Sequence, residues 1–108
     1  MTPEGKVKKQ ILDYLKSHHI LHRVYGAQAN AYGFPDIDVW YGGTYIGVEV
    51  KASKGVATLL QENMADAIKT SGCYHVFART LEDLLEVMRE IDETRKYNTK
   101  TLPKANIR

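Results

Sequence analysis

The sequence predicts a single α/β domain in the order αβββαβα, a mixed central sheet flanked by helices, and three observations carry that reading. Two short runs rich in β-branched and aromatic residues, Pro35 to Tyr41 and Thr44 to Lys51, are separated by Gly42-Gly43 alone, the signature of a two-residue hairpin. Stretches before and after the hairpin carry apolar residues at helical spacing, most regularly Leu81, Leu84, Leu85, Met88 and Ile91. The stretch from Ala57 to Thr70 has the same character and joins the second hairpin strand to a further β-like run, Cys73 to Arg79. A strand reached through a helix is expected to lie parallel to its predecessor, by a right-handed crossover.

Each element has its own local signals. Thr2-Pro3-Glu4 opens the first helix with a capping hydroxyl, a proline in the first turn and an early acid; Val7, Ile11, Tyr14 and Leu15 carry its apolar stripe to about Ser17. Glu4 shares the face of that stripe. It is therefore either a site acid pointing toward the sheet or a first-turn acid held by the helix dipole. Ile20 to Tyr25 has the composition of a short strand, and Gly26 to Gly33 reads as a loop. Pro35 begins the next strand where its missing N–H leaves no ladder bond unmade, and it keeps Phe34 extended. After Lys51 a loop runs from Ala52 to Val56; Leu60, Met64, Ala67 and Ile68 then share one side of a helix that Gly72 ends. Thr80 caps the last helix.

At 108 residues, 44% of them hydrophobic, the chain is long enough for one ordinary core and shows no internal repeat or low-complexity segment. A lone Cys73 excludes an internal disulfide and a cysteine-rich zinc site, and no N-terminal stretch resembles a signal peptide or membrane span. The expectation is a cytoplasmic protein with no membrane partner. Residues 94–108 carry Arg95, Lys96, Lys100, Lys104 and Arg108 with no acid; taking that +5 from the chain's net +2 leaves −3 on residues 1–93. Residues 1–93 are read as the folded domain and 94–108 as a basic C-terminal tail, either a solvated terminus or a contact for a polyanion.

With Gly42-Gly43 as the loop, Tyr41 faces Thr44, and counting outward sets Trp40 against Tyr45, Val39 against Ile46, Asp38 against Gly47, Ile37 against Val48 and Asp36 against Glu49. Cross-strand partners have Cβ atoms about 5 Å apart, and alternate residues share a face. Asp36, Glu49 and Lys51 then project together, while Ile37, Val39, Ile46, Val48 and Val50 line the core side. Two carboxylates converging without an arginine repel each other unless a cation lies between them, and oxygen ligands favour Mg²⁺ or Mn²⁺. The Val50 carbonyl is a further candidate ligand. Lys51 is placed to orient a water or to stabilise charge growing on phosphorus, so the expected reaction is phosphodiester hydrolysis. Asp38 points to the same face but opposite Gly47, and is expected to be a solvated edge acid.

The segment Gly33-Phe34-Pro35-Asp36, twelve further residues, and then Glu49-Val50-Lys51 resembles the PD-(D/E)xK nuclease signature. With Glu4 in the first helix, Arg23 in the first strand, Gln61 in the helix after Lys51 and Gly72 before the next strand, the chain looks like the VRR-NUC branch, the virus-type replication-repair nucleases, over about Glu4 to Leu84. The resemblance implies a restriction-endonuclease-like αβββαβα core and Mg²⁺- or Mn²⁺-dependent cleavage of DNA. It also implies a homodimer able to act on branched DNA such as four-way junctions, in a bacterial or phage-infected cell. Carried over residue by residue, it makes Asp36 and Glu49 metal ligands, Lys51 the catalytic lysine, Gln61 a support for Lys51 or the attacking water, and Glu4 an outer ligand.

Other readings stand beside these. Thr58-Leu59-Leu60-Gln61 is also a capping box, with the glutamine reaching back to the cap N–H. Arg23 either grips a phosphate or is salt-bridged, and Lys54, Arg95 and Lys96 are further candidate DNA contacts. His18, His19 and His22 invite a zinc site, but the helix is expected to end near Ser17 and no cysteine or acid follows at ligand spacing. Tyr25, Tyr32 and Phe34 either pack the loop or stack on unpaired bases. The competing function classes are a non-catalytic nucleic-acid-binding module and a nuclease acting on RNA, because a metal site reads phosphate and not sugar.

Overall fold

Between Tyr41 and Thr44 the computed structural model of the chain sets Gly42 and Gly43 at φ 63° and 79°. Both values are left-handed, the conformation a type I′ hairpin turn requires and glycine adopts without strain. The structure describes residues 1–26 and 30–101, with side chains up to residue 96. Its elements are α1 (Pro3–Ser17), β1 (His22–Val24), β2 (Ile37–Tyr41), β3 (Thr44–Val50), α2 (Leu59–Thr70), β4 (Tyr74–Ala78) and α3 (Leu81–Thr101). The four strands form one mixed sheet in the order β1-β2-β3-β4. The first two pairings are antiparallel and β3 with β4 is parallel, as the helix between them predicts.

The hairpin register runs from Tyr41–Thr44 to Ile37–Val48, the pairing counted from the two glycines. Period-2 alternation then sends Ile37, Val39, Ile46, Val48 and Val50 to one face, where all five are buried with Ile11 and Leu15 of α1 and with Leu84, Met88 and Ile91 of α3. Burial of each such side chain stabilises the fold by about 1.5–3 kcal/mol. The opposite face is covered at Gly47, where a Cβ would stand 2.7 Å from Pro35 Cγ and 3.2 Å from Ile68 Cδ1 of α2. One face of the sheet thus builds the core, and the other meets α2 and the chain ahead of β2.

Helix ends follow their caps. Thr2 Oγ1 accepts from the Gly5 N–H at 3.0 Å with Pro3 as the first helical residue, and the helix stops at Ser17 as expected. Thr58 and Gln61 make the reciprocal capping box of α2. Before α3, Thr80 Oγ1 accepts from the Asp83 N–H while Asp83 Oδ2 accepts from the N–H groups of Arg79 and Thr80.

The structure corrects two expectations. The first strand is only His22–Val24, although pairing persists at its ends, where Tyr25 N–H donates to the Asp36 carbonyl and Trp40 N–H to the Leu21 carbonyl, both at 3.0 Å. On α2 the expected Met64 and Ile68 do face inward, but with Gln61 and the buried Ala65 rather than with Leu60 and Ala67, which are exposed, Leu60 by 48%. The helix is rotated toward its polar contact at Gln61. The last helix spans Leu81–Thr101, with no Gly or Pro before Pro103 to interrupt it. Its later turns brace the hairpin: Tyr41 OH donates to Asp92, and Gly42 lies against Ile91 and the Arg95 stem. Residues 102–108, with Lys104 and Arg108, lie outside the described residues. Among the described residues no helix is long and apolar enough to cross a membrane.

Candidate active site

Successive N–H groups of a strand point to opposite sides, and at the end of β3 this alternation builds the site. Lys51 N–H donates to the Ala78 carbonyl at 2.9 Å, on the β4 side, so the Val50 N–H faces the β2 side. β2 begins at Ile37, and Asp36 stands one residue before it. Its carboxylate takes the place of a ladder carbonyl: Asp36 Oδ2 accepts from the Val50 N–H at 2.8 Å. The Asp36 carbonyl meanwhile accepts from Tyr25 N–H, so the residue is held on both sides. The expected opposition of Asp36 and Glu49 is therefore reached through the Asp36 side chain rather than a backbone pair. The Val50 carbonyl lies on the same side of the strand as its N–H, toward Asp36.

Asp36 and Glu49 are 7% and 4% exposed, so two acids are sequestered together. Glu49 is pushed up to about 8, first by burial and then by the Asp36 charge; the Lys51 ammonium opposes that rise and the Glu4 charge adds to it. Gln61 Nε2 donates to Glu49 Oε2 at 3.0 Å, and Glu49 Oε1 is buried with no hydrogen-bond partner among the described residues. An acceptor left unpaired in the interior is costly unless something else fills the position. Glu4 is exposed in the first turn of α1, and among the described residues no three of His, Cys, Asp or Glu stand together closely enough to hold a metal on their own.

Gln61 closes the capping box as expected, and its other end reaches Glu49 rather than the expected Lys51 or water. Its Oε1 accepts from Thr58 N–H at 3.0 Å, closing the capping box, while Nε2 holds Glu49. Gln61→Ala removes the return bond of the cap together with the Glu49 contact. A melting temperature about 5 °C lower is expected by scanning fluorimetry. Gln61→Glu keeps an acceptor for the cap but sets a like charge on Glu49, so its deficit is expected to be larger at pH 9 than at pH 6, where Glu49 is protonated. Equal deficits at both values would break the link between Gln61 and the acid pair.

Asp38 departs from expectation: it is 2% exposed rather than solvated. Oδ2 accepts from Arg23 Nε at 3.3 Å and Nη2 at 3.1 Å, and Oδ1 accepts from Tyr45 OH. Arg23 also donates to Tyr25 OH at 2.8 Å. Asp38 is thereby engaged away from Asp36 and Glu49, and the salt-bridged reading of Arg23 is the one the structure displays. Lys54 is exposed in the loop after β3; Arg95 packs its stem on Gly42; Lys96 lies 3.7 Å from Glu93. His18 stacks on Tyr14 and His22 Nδ1 is 2.7 Å from the Ile20 carbonyl, with no shared metal geometry.

Arg79 is a residue that sequence reasoning missed. Its Nη2 donates to the Gly55 carbonyl at 2.6 Å and ties down the loop between Lys51 and α2. Nothing in the local pattern marks it, because its partner lies 24 residues earlier. Compared with family models, curated proteins and solved structures, the chain matches none of them significantly.

Proposed function

We propose that this chain is a divalent-metal-dependent endonuclease that hydrolyses phosphodiester bonds of DNA, with the restriction-endonuclease-like core of the VRR-NUC branch of PD-(D/E)xK nucleases. The observation that carries the proposal is the buried Asp36–Glu49 pair, which among the described residues has no arginine partner and has Glu49 Oε1 unpaired, and which is flanked by Lys51 and Gln61. This donor set fits a hard cation. The ligands are all oxygen, two carboxylates suffice for Mg²⁺ or Mn²⁺ when water and substrate phosphate fill the remaining positions, and a cation would satisfy the orphaned oxygen. Asp36 and Glu49 would hold it, with the Val50 carbonyl on the same side.

The ion, when bound, supplies positive charge that neutralises the acid pair and polarises the phosphate. The protein's own groups do the positioning. The Val50 N–H and the Tyr25 N–H fix Asp36, Gln61 fixes Glu49, and Lys51 offers a cation to a non-bridging oxygen or to the attacking water. In the proposed reaction a bond forms between water oxygen and phosphorus as one phosphate ester bond breaks, leaving a phosphate monoester and an alcohol. A single 12.2 kDa domain has one such site, so paired cuts in two related strands call for a homodimer acting on branched DNA such as a four-way junction.

Incubation of supercoiled, flap, four-way-junction and linear DNA, with RNA alongside, in Mg²⁺, Mn²⁺ or EDTA tests this reading. Cleavage is expected with either metal and none in EDTA, with Lys51→Ala slower by about 10²–10³-fold. DNA binding without cleavage under both metals would leave a non-catalytic binding module. Cleavage confined to RNA would keep the hydrolysis and reassign the substrate.

A further inference from the structure

Five side chains outside the acid pair form a continuous run of neighbouring rings and a guanidinium across the ends of β1, β2 and β3, the ring pairs tilted against each other by 43° and 58°. Phe34 and Tyr25 have ring centroids 6.2 Å apart; the Arg23 guanidinium lies 4.9 Å from the Tyr25 centroid and 6.0 Å from that of Trp40; Trp40 and Tyr45 are 6.0 Å apart. Trp40 is 39% and Phe34 41% exposed and so open to a base, while Tyr25 and Tyr45 are half-buried between them and Arg23. Arg23 is locked in orientation because Asp38, itself buried, accepts from both its Nε and its Nη2 and is held in turn by Tyr45 OH. The line ends at Phe34, two residues from Asp36.

We propose that Phe34, Tyr25, Arg23, Trp40 and Tyr45 are a stacking strip for the bases of an unpaired nucleic-acid strand, leading that strand toward Asp36 and Glu49. Every base offers a π face, and aromatic rings with an interleaved guanidinium bind such faces without reading sequence. A duplex keeps its bases stacked internally and presents phosphates, for which one cation already neutralised by Asp38 is a poor match. The occupant is therefore single-stranded, DNA or RNA, as at the arms of a branch or the base of a flap. The inference deepens the nuclease reading and rests on it only for the catalytic end of the strip.

Trp40 is the chain's only tryptophan and reports on the strip directly. Its fluorescence is followed in EDTA during titration with oligothymidylate and oligouridylate of about 12 nucleotides, within the usual range of single-strand site sizes, and with a blunt duplex of equal length. Quenching is expected from the single strands and not from the duplex, with the two single-strand arms distinguishing DNA from RNA. Phe34→Ala is expected to weaken the titration about tenfold, and Trp40→Ala to weaken binding of a labelled single strand about tenfold by anisotropy. Both residues are exposed, and unchanged circular dichroism checks that the variants fold. Absence of quenching, equal quenching by duplex, or single-strand affinity indifferent to both substitutions would overturn the strip even if metal-dependent cleavage stands. Quenching with no cleavage under any metal would leave the strip and remove the nuclease.

Discussion

Glu49→Gln is expected to raise the melting temperature of the metal-free protein at pH 9 while reducing metal-dependent cleavage by at least about 10³-fold. The opposite signs have one cause. Without a cation, Glu49 is a buried acid beside Asp36, and its ionisation is displaced from the ordinary carboxylate range up to about 8. In the unfolded chain it titrates near 4.5. Between those two values the folded protein keeps a proton that the unfolded chain has released, so stability falls as pH rises through the window from about 4.5 to about 8 and is level above it. Each unit of displacement corresponds to about 1.4 kcal/mol at most. Glutamine carries no charge to desolvate, still accepts from Gln61 Nε2, and turns an amide N–H toward Asp36.

A gain on the order of 5 °C for Glu49→Gln at pH 9 in EDTA, shrinking toward zero at pH 5, follows from that window. Millimolar Mg²⁺ should raise the melting temperature of the native chain at pH 9 and leave that of Glu49→Gln unmoved, because the second of the two proposed anionic ligands is gone. Scanning fluorimetry across the pH range reads both effects. A variant less stable than the native chain at pH 9 without metal would mean that Glu49 is stabilised as an anion by something other than a cation.

What was legible in the sequence was whatever local geometry fixes. Two glycines between two strands set the hairpin register, and with it the shared face of Asp36, Glu49 and Lys51. Capping residues set the start of each helix. Three features were not legible because they depend on partners distant in sequence. Arg23 meets Asp38 through the β1–β2 register, which the long segment between those strands does not determine. The Asp36 side chain replaces a ladder carbonyl at Val50, an exchange that hydrophobic alternation cannot signal. α2 turns Gln61 inward to Glu49 and leaves Leu60 half exposed, a rotation that depends on a partner in β3 and not on the helix's own pattern.

Gly33→Ala is expected to lower the melting temperature by about 10 °C or more and to abolish the Mg²⁺-induced shift even at temperatures where the variant is folded. Gly33 has φ +84°, and a Cβ there would stand 2.6 Å from the Leu60 carbonyl oxygen and 3.0 Å from its carbonyl carbon. Those atoms are helical backbone in the first turn of α2, so they cannot yield as a flexible side-chain tip would. Relief must come from moving either Gln61, adjacent to Leu60 in the same turn, or the Phe34-Pro35-Asp36 segment. Either movement separates the acid pair from what holds it. Gly43→Ala is the matched control: its φ is +79°, and among the described residues nothing lies within 4 Å of the added Cβ. It carries the left-handed strain of about 1–2 kcal/mol without the collision, so a smaller drop in stability is expected with the Mg²⁺ shift intact. Equal losses of the Mg²⁺ shift in the two variants would show that backbone strain alone, and not the contact between Gly33 and Leu60, governs the geometry of Asp36 and Glu49.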